Sequence, residues 1–195
     1  MCIVHSTLRD ATTPYTKRYA TLKQSLMSMT QIAFFNSENA PSSKQIEDHI
    51  QALGYNFKFQ TQFENISTTN ELNCTIEETE GQFVFDIEAP SETLEENDWI
   101  NISQNEFNKV IIFNWGADYS AGAIIGLISL ALIEFCNSKV YYLDDEMEYT
   151  KQMLLDDTPQ FLNEIQKHKN RPQPKSRPIT TPKKKKSFWD KLFGK

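Results

Sequence analysis

Asp118 stands between an apolar run, Val110 to Phe113, and a long apolar stretch that begins near Ala121, and Asp144, Asp145 and Glu146 follow a second short apolar run, Val140 to Leu143. Carboxylates at the C-terminal ends of strands are the hard oxygen donors that Mg²⁺ or Ca²⁺ takes. If the two turns open on the same side, these four acids compose a divalent-metal site, and a metal-dependent enzyme is the alternative function they support. The same residues have a structural use: an aspartate ahead of a helix caps its first amides, and acids in a first turn complement the helix dipole. Ser120 has the strand, turn and helix setting of a hydrolase nucleophile, but Asp118 occupies the position where that turn needs glycine, and only His168 follows it. Gly116 and Gly122 lack both the lysine of a phosphate loop and the third glycine of a dinucleotide fingerprint. Glu95, Glu96 and Asp98 fall in an acidic loop, 90–98, with no geometry to make them an acid and base pair. His5, His49 and His168 share no spacing, and Cys2, Cys74 and Cys136 form no CxxC pair, a usage that suits a reducing compartment. No cofactor is expected, and Trp99 and Trp115 are read as core residues.

The other chemically pointed segment is the end of the chain. Ser187 and Asp190 have the spacing of a capping box, Phe188 and Leu192 lie four apart, as do Trp189 and Phe193, and Gly194 is placed to end the turn. A helix this short is marginal in water, so the segment is expected to fold only on a surface. Burying its four large side chains releases about 1.5–3 kcal/mol each before ordering costs. Lys183, Lys184, Lys185 and Lys186 add attraction to anionic lipid of about 1 kcal/mol each. Together the two signals make a reversible anchor for a membrane surface or a second protein. Folding back on the chain's own body is the other use of such a tip. The segment resembles the membrane-surface and partner-docking tails of bacterial proteins.

These segments must be carried by a folded body. Gln31 to Phe35 reads as a strand, Ile46, Ile50 and Leu53 as a helix capped at Ser42 or Ser43 and stopped by Gly54, and Phe57, Phe59 and Phe63 as a half-buried strand. Leu72 to Ile76 and Phe83 to Ile87 are expected to form a hairpin turning at Glu80 and Gly81. Val110 to Phe113, the helix ending at Phe135 and Val140 to Leu143 make a βαβ unit, after which a helix runs through Met147 and Leu154 and restarts at Thr158 and Pro159. The apolar helix is interrupted by Ser129 and Glu134 and is expected to be buried rather than to span a bilayer. The fold class is α+β: a mixed, mainly antiparallel sheet with one βαβ crossover and helices packed on it. The body, 29–168, is preceded by an unstructured leader, 1–28, for which Met29 is a possible true start. A basic proline-rich linker, 169–186, and the amphipathic segment, 187–195, follow it.

Charge divides the same way. Between 29 and 166 there are 24 acidic and 5 basic side chains, a net −19, whereas 167–195 carries eleven basic side chains against Asp190. Such a body repels nucleic-acid phosphates and anionic lipid and attracts a basic protein, so contact with any anionic surface falls to the tail. From Val110 to Leu143 the apolar strand, small-residue turn, apolar helix and strand leading to acids are similar to the small α/β domains of bacterial immunity-type and accessory proteins, which neutralise a neighbour's toxin. With the charge pattern, that resemblance leads to the expectation of a non-enzymatic protein-binding role; the cysteine usage and the lack of a basic-then-apolar opening suit the cytoplasm, with peripheral membrane contact through the tail.

Overall fold

The structure is a computed structural model, and it describes residues 28–103 and 105–170. The expected leader, but for Ser28, the stretch 171–186 and the segment from Ser187 to Lys195 lie outside these residues.

Seven residues, Met29–Phe35, form β1, and the last five are buried on both faces. A strand so apolar must lie inside a sheet. It pairs antiparallel with β6 (Lys109–Trp115) on one side and with β7 (Lys139–Tyr142) on the other. Outside these lie β5 (Phe83–Glu88) and β8 (Met147–Tyr149), which complete a five-stranded sheet in the order β5-β6-β1-β7-β8. A smaller sheet holds β2 (Phe57–Phe59), β3 (Cys74–Ile76) and β4 (Thr79–Glu80). With helices α1 (Ser43–Ala52), α2 (Pro90–Glu96), α3 (Tyr119–Cys136) and α4 (Lys151–Lys169), the class is α+β.

The βαβ unit is present as β6-α3-β7, but it is split. Both strands run antiparallel to β1, which lies between them, so they are parallel to each other without touching and every ladder is antiparallel. Helix α3 is buried almost all round because elements cover it on every side, with the sheet against one face and α4, α1 and the small sheet against the rest. It is long and apolar enough to cross a membrane, yet 78% of it is buried inside this fold. The opposite face of the sheet carries a second cluster of Ile32, Phe34, Val110, Ile112 and Tyr141, covered by α2 and the segment that holds Trp99, Ile100 and Phe107.

Helix ends follow local rules. Ser42 and Gln45 form a reciprocal capping box on α1, with Gly54 just beyond its end at φ +93°. Asn137 takes the left-handed conformation that closes α3.

Three expectations are corrected. The hairpin turns at Glu77 and Glu78, both at positive φ, and β5 leaves it to join the large sheet. Residues 90–96 are helical, with Pro90 in the first turn. Beyond β7 the chain makes a turn and a short strand, and a single helix, α4, capped by Thr150, then continues through Pro159. Proline costs a helix interior about 3 kcal/mol. Here Leu154, Thr158 and Ile165 are buried by the continuing helix, with Phe161 and Leu162 packed on the core, and Thr158 Oγ1 donates to the Leu154 carbonyl.

Candidate binding cavity

Because β6 and β7 are parallel, Trp115 and Tyr142 end on the same edge of the sheet, with the start of β1 between them. Helix α4 packs on α3 above this edge, and Gly122 marks the closest approach. A Cβ on Gly122 would lie 2.9 Å from the Phe161 ring, and one on Gly126 would lie 3.4 Å from Thr158 Oγ1. Between the helices and the strand ends is a cavity of about 230 Å³.

Its walls are aromatic and its charge is negative. The Trp115 and Tyr142 rings are 6.1 Å apart and the Tyr142 and Tyr149 rings 6.0 Å apart, and Phe161 lines the α4 side. Asp145 is exposed on the β7–β8 turn at the mouth, and Asp157 sits half-buried on α4. Tyr149 Oη donates a hydrogen bond to Asp157 Oδ2, and Gln160 Nε2 donates to the other oxygen at 3.3 Å. Burial, and then the Asp157 hydrogen bond and charge, push the Tyr149 phenol well above its usual range, while burial and the charges of Asp144 and Asp145 raise Tyr142. Both phenols therefore stay neutral at physiological pH, and the cavity's charge is that of its two carboxylates, with no basic residue among its lining. Gln31 adds a buried amide whose Nε2 donates to Ser129 Oγ at 2.7 Å, which explains the serine in an otherwise apolar helix.

The four acids expected at a metal site take separate positions. Asp118 caps α3: Oδ1 accepts from the amides of Ser120 at 2.8 Å and Ala121 at 3.3 Å, and Oδ2 accepts from the amide of Gln82 at 2.7 Å. Asp144 Oδ2 accepts from the Thr30 amide at 2.7 Å, Asp145 stands at the cavity mouth, and Glu146 lies in the turn at φ 50°. Among the described residues no three His, Cys, Asp or Glu side chains gather as a metal site would require. The carboxylates of Asp118 and Asp144 are spent on backbone amides, the structural use foreseen for Asp118.

Trp115 is a core residue, as expected, and Trp99 is half-buried against the second cluster. Trp115 is 6% exposed, and its Nε1 has no hydrogen-bond partner among the described residues. Trp99 packs edge-on against Tyr141. Sequence reasoning missed the cavity's own residues, Gln31, Tyr142, Tyr149 and Asp157. Gln31 and Ser129, two polar residues inside apolar runs, were the available signal.

Lys44, Lys139 and Lys151, three of the body's five basic side chains, are already paired with Asp48, Glu106 and Glu134. The remaining acids far outnumber the remaining bases. Family models, curated proteins and solved structures were all compared with the chain, and none matches it.

Proposed function

We propose that this protein is a non-enzymatic binding module whose acidic domain captures a basic protein partner, while its basic amphipathic tail docks to a membrane surface or a second protein. A bacterial toxin-immunity or secretion-accessory role in the cytoplasm is the concrete form of this reading. The observation that carries it is the segregation of charge: −19 over 29–166 against +10 over 167–195. The folded body supports it, because its own cations neutralise only a few of its acids and exposed ion pairs of this kind contribute little to stability. The acidic excess left after these pairs is suited to steering a basic partner.

The test is the salt dependence of binding to a synthetic lysine- and arginine-rich peptide. Affinity should fall at least tenfold between about 50 mM and about 300 mM salt, where screening shortens from about 14 Å to about 6 Å. Equal affinity at both would remove the electrostatic half of the reading. For the tail, full-length protein should sediment with phosphatidylserine-containing vesicles. Changing Lys183, Lys184, Lys185 and Lys186 together to glutamine should reduce that binding sharply.

A further inference from the structure

We propose that the cavity between α4 and the strand ends at Trp115 and Tyr142 binds a primary alkylammonium group, the chemistry of a lysine side chain. The inference rests on the basic-partner reading above and deepens it, by placing one cationic side chain in one site.

Three features of the cavity converge on this ligand. The rings of Trp115, Tyr142 and Tyr149 all line the cavity, with neighbouring centroids about 6 Å apart and the planes tilted by about 50° to one another, and aromatic rings attract a cation through their quadrupoles. Two carboxylates, exposed Asp145 and half-buried Asp157, line it and carry charge that no basic residue of the lining offsets. The enclosed shape, with Gly122 and Gly126 on one wall, admits a narrow methylene chain and keeps its head away from bulk water. Ammonium is favoured over guanidinium because it is the more compact cation, a point charge on an unbranched stem rather than a planar fork, and the cavity holds only about 230 Å³.

The lysine has two possible sources. Asp157 and Phe161 also line an open groove of about 430 Å³ that runs along α4 past Tyr119 to Lys167, three residues before the described chain ends at Asn170. The lysine-rich segment that follows belongs to this chain, and a partner protein supplies the same group from outside.

The experiment titrates full-length protein with N-acetyl-lysine methylamide, its norleucine counterpart and its arginine counterpart, followed by NMR at the Trp115 indole and at the Gly122 and Gly126 amides. The lysine compound is expected to shift these signals saturably, and the norleucine compound to bind about tenfold more weakly or worse. The arginine compound should fall between them. Asp145→Asn and Asp157→Asn should each weaken the lysine compound several-fold; Asp145→Asn, in an exposed turn, should keep the parent melting temperature, whereas Asp157→Asn keeps the bond from Tyr149, loses the long one from Gln160 and should lower it slightly. Asp86→Asn, on the far face of the sheet, should leave binding as it was. Norleucine binding as tightly as lysine, or full affinity in the Asp145→Asn/Asp157→Asn double variant, overturns the proposal. In protein with Lys175, Lys183, Lys184, Lys185, Lys186, Lys191 and Lys195 all changed to glutamine, tighter lysine binding identifies the chain's own tail as the occupant, and equal binding identifies another molecule; both outcomes support the site. Failure here with salt-sensitive peptide capture intact removes the cavity alone, whereas salt-insensitive capture with a normal lysine titration removes the surface reading alone.

Discussion

Replacing Asp118 with alanine removes three hydrogen bonds from the junction on which the interior depends. Two of them cap α3 through the amides of Ser120 and Ala121, and the third holds the amide of Gln82 beside the first turn of that helix. Losing an N-cap aspartate costs about 1 kcal/mol, and the lost charge at the helix N-terminus adds about 0.3–1 kcal/mol. A hydrogen bond to a charged acceptor contributes about 1.5–3 kcal/mol, and the lower end applies because Asp118 is half-exposed. Together these give about 3 kcal/mol, and a fall in melting temperature of roughly 6–12 °C for a domain of this size. Asparagine keeps the cap but turns an amide donor toward Gln82 N, so Asp118→Asn should cost less, about 1–2 kcal/mol. The clamp can be probed from its other side. A Cβ on Gly81 would meet Ile124 Cδ1 at 2.6 Å and the Ala121 backbone at 3.0 Å, so Gly81→Ala should be more damaging than an ordinary surface substitution. Urea unfolding at neutral pH measures all three variants. The reasoning is refuted if Asp118→Ala stays within about 0.5 kcal/mol of the parent, the range of an ordinary surface change, or if the asparagine variant is as unstable as the alanine one.

Other substitutions test the packing and ionisation just described. Ser129→Ala strands the buried Gln31 amide and should cost about 1–3 kcal/mol; adding Gln31→Leu should recover part of it, and additive losses in a double-mutant cycle would show that the pair is uncoupled. Gly126→Ala should be neutral or stabilise by up to about 1 kcal/mol, because its Cβ meets only ordinary contacts, while Gly122→Ala should gain nothing because Phe161 must move; equal thermal shifts would contradict the close approach. Burial pushes the Cys74 and Cys136 thiols up to about 12 and about 11, and burial followed by the charges of Glu148 and Glu106 pushes Tyr141 to about 12. Folded values raised above the unfolded ones mean that stability is fully present below about pH 9 and is lost as pH climbs toward 12. Urea midpoints across that window should fall steadily, and both thiols should resist a disulfide reagent at pH 8 until the chain unfolds; rapid labelling of the native protein would contradict their burial.

Much of the architecture was legible because it depends on neighbours in sequence. Ser42 and Gln45 are three apart and close a capping box wherever the chain starts that helix, and Asp118 ahead of small residues announces a cap in the same way. The apolar runs Val110 to Phe113 and Val140 to Leu143 with the helix between them marked the crossover. The misreadings came where tertiary partners outweighed local preference. Pro159 signals a break, yet α4 continues because leaving would expose Leu154 and Phe161. Gly81 signals a turn, but its missing side chain is needed for close approach to α3, and the turn falls instead at Glu77 and Glu78.

Composition and short-range spacing already carried the α+β class, the caps at Ser42 and Asp118, the buried helix and the separation of an acidic stretch from a basic one, since these are properties of the chain and need no partner. Which residues face the cavity was settled by packing alone. Trp115, Tyr142, Tyr149 and Asp157 belong to four different elements. Inserting β1 between two parallel strands, and pressing two helices together at Gly122, brings them around one space. Such long-range juxtaposition depends on how many elements pack at once, and no local pattern encodes it.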